Sequence, residues 1–115
     1  LQNNKLVDAI ITVSNDGWFG LSHGPSQHFQ MAQFRAMELG RPVIRATNTG
    51  ITGIIEPSGY VKETLPREEK GILYTNIYKS EGRTPYSYLG PYSILGLILL
   101  IGLGSLFIFY KAPRT

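Results

Sequence analysis

Apolar side chains fall into several short runs and one long one. Residues 6–13, LVDAIITV, are rich in β-branched side chains and apolar at consecutive positions, the pattern of a strand covered on both faces. The run breaks into SNDGWFG and resumes after Pro25 as SQHFQMAQFRAMEL, where Phe29, Ala32, Ala36 and Leu39 recur with 3, 4, 3 spacing and form one apolar stripe. Pro25 suits the first turn of a helix, and Gly40 and Pro42 stop it. A second strand is predicted over Val43–Thr47, so strand, helix and strand form a right-handed crossover onto a parallel neighbour. ITGIIEPSGYVKETL predicts two strands joined by a turn at Glu56-Pro57-Ser58-Gly59, and GILYTNIY (71–78) a further strand.

The long run is YSILGLILLIGLGSLFIFY, Tyr92–Tyr110, and no charged residue occurs from Thr84 to Tyr110. At about 1.5 Å per residue it would span roughly 27 Å as a helix, close to the hydrocarbon thickness of a bilayer. Tyr86, Tyr88, Tyr92 and Tyr110 sit where aromatic belts sit. The predicted organisation is an α/β domain over residues 1–83, an interfacial linker over 84–91, a transmembrane helix over 92–110 and a tail over 111–115.

One shortage follows from the pattern. A strand apolar on both faces needs cover on both, and the α/β part offers a single helix. The remaining cover is expected from upstream sequence or another chain.

Charge and composition narrow the function. The formal net charge is +3, but residues 1–83 hold nine Lys/Arg and eight Asp/Glu, so no basic patch for nucleic acid is indicated. Lys79 and Arg83 flank one end of the long apolar run and Lys111 and Arg114 the other, which leaves orientation undecided by charge. There is no cysteine, which excludes disulfides, Cys-ligated zinc and a thiol nucleophile within these residues. A start at Leu1 without a signal peptide suggests part of a longer polypeptide.

The candidate chemistry clusters at strand ends. Gly20-Leu21-Ser22-His23-Gly24 matches G-x-S-x-G, but several residues separate it from the strand and no His follows His28, so a hydrolase triad cannot be completed in the required order. His23 and His28 have no familiar metal spacing. Arg35 and Glu38, one helical turn apart, read as a structural pair. Asn15, Asp16, Trp18 and Phe19 lie at the carboxyl end of a predicted parallel strand, where open α/β sheets place ligand crevices. His28 lies nearby in the first helical turn, and Thr47-Asn48-Thr49-Gly50 ends the neighbouring strand. A plain turn has no use for two adjacent large aromatics, so Asn15, Asp16, Trp18, Phe19, His28 and Asn48 are the candidate substrate-binding residues. A purely structural loop, with Asp16 and Gly17 turning the chain and Trp18 plugging the domain edge, is the competing reading.

The string SNDGWFG, followed by GPSQHFQMAQFRAMELGRPVIRATNTG, the hairpin IEPSG and the final TPYSYLGPY approach to the apolar run, resembles the apolipoprotein N-acyltransferase family of the nitrilase, or carbon-nitrogen hydrolase, superfamily. The resemblance covers roughly residues 6–110. It implies the closing part of a four-layer α/β/β/α sandwich facing the periplasm, carried on helices in the bacterial inner membrane. It implies transfer of an acyl chain from a phospholipid donor to the amino terminus of an apolipoprotein's diacylglyceryl-cysteine, through a thioester, with a Glu, Lys and Cys triad and no cofactor or metal. That triad falls in sequence ahead of residue 6, so no catalytic residue is assigned here and the chain is expected to act with the upstream part of its polypeptide. Trp18 and Phe19 match the family's loop aromatics beside the active-site opening. Two rivals remain: a tail-anchored nitrilase-type amidase with a polar pocket, and a membrane-tethered binding module without a nucleophile.

Overall fold

A computed structural model of the chain describes residues 7–67 and 69–111. It divides between Thr84 and Pro85 into two compact units. The first holds strand β1 (Ile10–Ser14), helix α1 (Gly24–Leu39) and strands β2 (Val43–Thr47), β3 (Gly53–Ile55) and β4 (Val61–Thr64). They form one sheet in the order β1-β2-β3-β4, with β1 parallel to β2 and the other pairs antiparallel. The predicted crossover is therefore present: β1, α1, β2, with Ile10 opposite Val43 and Ser14 opposite Thr47.

Helix α1 begins with Pro25 in its first turn and ends at Gly40, which adopts φ 61°. The Arg41 amide then donates back to the Ala36 carbonyl at 3.1 Å, closing the helix end with a Schellman-type bond. The buried stripe is Phe29, Ala32 and Ala36, packed with Val43 and Ile55, and Ile10, Ile51 and Val61 lie at its margin. Leu39, the fourth member of the predicted stripe, falls at the exposed rim. The hairpin turn is where the sequence put it: Gly59 N–H donates to the Glu56 carbonyl at 2.8 Å, and the Gln33 amide of α1 donates to the Gly59 carbonyl at 3.0 Å.

Two expectations change. Residues 71–78 form no strand. This segment crosses the face of the sheet opposite α1, with Ile77 and Tyr78 beside Ile54 in a cavity of about 220 Å³, and Lys62 donates to the Asn76 carbonyl at 2.9 Å. No ladder forms, and Ile72, Tyr74, Ile77 and Tyr78 remain exposed among the described residues. The strand begins at Ile10, not near residue 6, and residue 6 lies outside the described residues. Its two faces are also unequal: Ile11 is 71% and Val13 84% exposed, on the side away from α1. The described residues thus supply one sheet with one helix across it.

The second unit holds a short helix α2 (Pro85–Leu89) and helix α3 (Tyr92–Lys111). Helix α3 is long and apolar enough to cross a membrane, and none of its side chains is buried within the described chain. Beyond Lys111 the tail lies outside the described residues.

Candidate functional site

The loop after β1 is fixed at its base and open at its tip. Ser14 and Asp16 continue the α1-facing side of β1, since side chains alternate along a strand. Asp16 is 2% exposed. Its Oδ1 accepts from the Ser14 hydroxyl at 2.8 Å and from His28 Nδ1 at 2.9 Å, while Oδ2 accepts from Arg45 Nη2 at 3.0 Å. Arg45 Nη2 also lies 3.0 Å from His28 Nδ1. Because guanidinium only donates and carboxylate only accepts, the arrangement is satisfied with the His28 proton on Nδ1 and both donors directed at Asp16.

Burial by itself would raise the Asp16 pKa. Hydrogen bonds from Ser14, His28 and Arg45, together with the Arg45 charge, outweigh that and hold the carboxyl below its ordinary value. Asp16 is therefore an anion enclosed by its partners, and Gly50 closes the enclosure: a Cβ at that position would stand 2.2 Å from Oδ2.

Beyond this base the chain turns sharply. Asn15 Oδ1 accepts from the Gly17 amide at 3.1 Å, and residues 17–19 form a single turn of 3-10 helix. Phe19 sets its ring edge-on to His28 at a centroid distance of 6.2 Å. Trp18 is 87% exposed, so it plugs no edge of the described fold. Asn48, at the end of β2, donates its amide to the Ser14 carbonyl at 3.1 Å and leaves its side chain exposed beside the loop.

The six candidate residues thus lie at one end of the parallel strands, in two layers. Asp16 and His28 form the frame; Asn15, Trp18, Phe19 and Asn48 stand outside it. Sequence reasoning did not identify Arg45 as part of this frame, although an arginine at an inward position of an otherwise apolar strand was a signal that a buried partner existed. Ser22 of the G-x-S-x-G string donates its hydroxyl to the Phe19 carbonyl at 2.5 Å and accepts from the Gly24 amide, which shapes the loop. Arg35 and Glu38 pair at 2.6 Å on the helix surface. No group of three metal-binding side chains occurs among the described residues.

A cleft of about 270 Å³ runs between α1 and β1, walled by Ile10, Thr12, His28, Met31 and Arg45 among others. Arg45 Nε and Thr12 Oγ1 are buried in this wall without a protein partner among the described residues. Buried polar atoms are ordinarily paired, and these two are exceptions among the described residues.

The carbon-nitrogen hydrolase family profile matches residues 3–86. The apolipoprotein N-acyltransferase of Azotobacter vinelandii is 47% identical over 96 residues, 83% of this chain and 19% of that protein. That of Pasteurella multocida is 50% identical over 94 residues, covering 82% of this chain and 18% of the relative. That of Vibrio cholerae is 42% identical over 108 residues, covering 94% and 21%. The chain spans about a fifth of the length of the curated relatives it matches. Matched over most of its length by the family profile, and similar across the same region to apolipoprotein N-acyltransferases, the chain belongs to the carbon-nitrogen hydrolase family.

Proposed function

We propose that the chain is the carboxy-terminal portion of an apolipoprotein N-acyltransferase of the bacterial inner membrane, with its α/β part facing the periplasm and α3 as the last anchor. The reaction proposed is acyl transfer from a phospholipid to the amino terminus of a lipoprotein's diacylglyceryl-cysteine. A thiolate attacks the phospholipid ester, the ester C–O bond breaks and the lysophospholipid oxygen takes a proton. The acceptor amine then attacks the thioester and regenerates the thiol. The Cys, Glu and Lys belong to polypeptide outside these residues, so the 115 residues alone transfer nothing.

What this chain contributes is one wall of the substrate crevice. The observation that carries the reading is the contrast within one short loop: Trp18 is almost wholly exposed while Asp16, two residues before it, is locked by three partners. A large apolar surface on a rigid base suits an acyl chain being drawn from a bilayer, since the base pays the ordering cost in advance. Phe19 extends the apolar lip, and Asn15 and Asn48 supply polar groups at its rim. Asp16 and His28 act by holding the lip in place.

The same reading accounts for the bare surfaces. Ile11 and Val13 pack against the second sheet of a four-layer sandwich, and upstream polypeptide fills the cleft at Thr12 and Arg45.

The test is acyl transfer by the full-length protein carrying Trp18→Ala, measured from phospholipid to a diacylated lipopeptide. Transfer is expected to fall at least about tenfold, the effect of removing about 1.4 kcal/mol of transition-state stabilisation. Wild-type transfer in this variant would refute the assignment of the loop. Hydrolysis of short soluble amides by the wild-type protein, without transfer to the lipopeptide, would favour the amidase instead.

A further inference from the structure

The amino ends of the strands carry a second buried arginine that the proposed reaction does not use. Arg41 is separated from β2 by Pro42 alone and is 3% exposed. Its Nε donates to the Val7 carbonyl at 2.6 Å, Nη1 to the Gly40 carbonyl at 2.8 Å and Nη2 to the Gly82 carbonyl at 2.8 Å. These acceptors belong to three separate parts of the chain: the approach to β1, the end of α1, and the connector that precedes Pro85. Among the described residues no carboxylate pairs with this guanidinium. The negative end of the α1 dipole and the three carbonyls take that place.

Two other features hold the same connector. The Thr84 hydroxyl donates to the Glu38 carbonyl in the last turn of α1. Gly40 brings the backbone so close that a Cβ there would stand 2.9 Å from the Thr84 methyl, and its φ of +61° already disfavours a side chain. The exposed Lys79–Asp8 pair, at 3.2 Å, links the neighbouring segment to the approach to β1 and adds little.

We propose that Arg41 is a positioning residue that seats residues 82–84 on the carboxyl end of α1 and so fixes where the chain leaves the α/β unit for its apolar helix. Only a planar fork with diverging N–H groups reaches three such carbonyls; a lysine ammonium presents a point charge and cannot span them. The exit lies at the amino ends of β1 and β2, opposite the end that carries Trp18.

Hydrogen exchange on the full chain in phospholipid vesicles tests the seating. Arg41→Met and Arg41→Lys are each expected to speed exchange in the 79–86 peptide about tenfold while peptides covering β1 and β2 keep wild-type protection. Thr84→Val leaves Arg41 intact and is expected to give a smaller increase, about threefold, so it remains informative if Arg41→Met fails to fold. Wild-type protection of the connector in both Arg41→Lys and Thr84→Val would overturn the proposal, as would equal loss of protection throughout the sheet.

Discussion

Arg41 and Arg45 are equally buried and lie on the same stretch of chain, yet they are neutralised in different ways. Arg45 meets an anion: Asp16 accepts its Nη2 and gathers Ser14 and His28 around the same carboxylate. Arg41 meets only backbone carbonyls, from residues 7, 40 and 82. The first arrangement is a charge pair with a titratable member, made by side chains and placed where the loop begins. The second contains nothing that titrates near neutrality and ties main chain to main chain. One end of the strands is therefore stiffened by ionic contacts that acid can undo, and the other by contacts that acid leaves in place.

The largest expected effect breaks the ionic end. Asp16→Ala strands a buried guanidinium and should cost about 3–5 kcal/mol of unfolding free energy, read from the denaturant midpoint by circular dichroism. Arg41→Met leaves carbonyls without donors but strands no charge, so its cost should be smaller, about 1–3 kcal/mol by the same measurement. Titration then separates the two ends without mutation. Because the folded-state Asp16 pKa is lowered, its contribution is fully present above the unfolded carboxylate value, about pH 4, and is lost as pH falls through the lower folded value. The stability difference between wild type and Asp16→Asn should shrink on acidification below about pH 4, while that between wild type and Arg41→Met should not change through Asp16. Smallest of all, Glu38→Gln should shift stability by no more than about 0.5 kcal/mol, because the Arg35–Glu38 pair is partly hydrated.

Much of the fold was legible because it is set by local chemistry. The limits of α1 follow from Pro25 and Gly40, the Glu56–Gly59 turn from its Pro and Gly, and the parallel pairing of β1 with β2 from the crossover that joins them. The apolar run after Pro91 announced α3 in the same way. What was not legible depends on contacts between distant residues. Residues 71–78, GILYTNIY, are rich in the β-branched and aromatic side chains of a strand, but that composition does not say whether the segment will find an edge to pair with or a face to cross. At the candidate site the loop and its polar neighbours were evident from their place after β1 and β2. The division of labour within it was not, because it requires Asp16, His28 and Arg45 to converge from three elements. Arg41, flanked by Gly40 and Pro42, reads in sequence only as the end of a helix.

Trp18 is the single tryptophan of these residues, and its indole stands almost wholly in water. Its fluorescence therefore reports on the loop tip with no background from the sheet. Emission from the isolated chain should be red-shifted and readily quenched by iodide in buffer, and should move to shorter wavelength, with quenching suppressed, when vesicles are added and the ring enters an acyl layer.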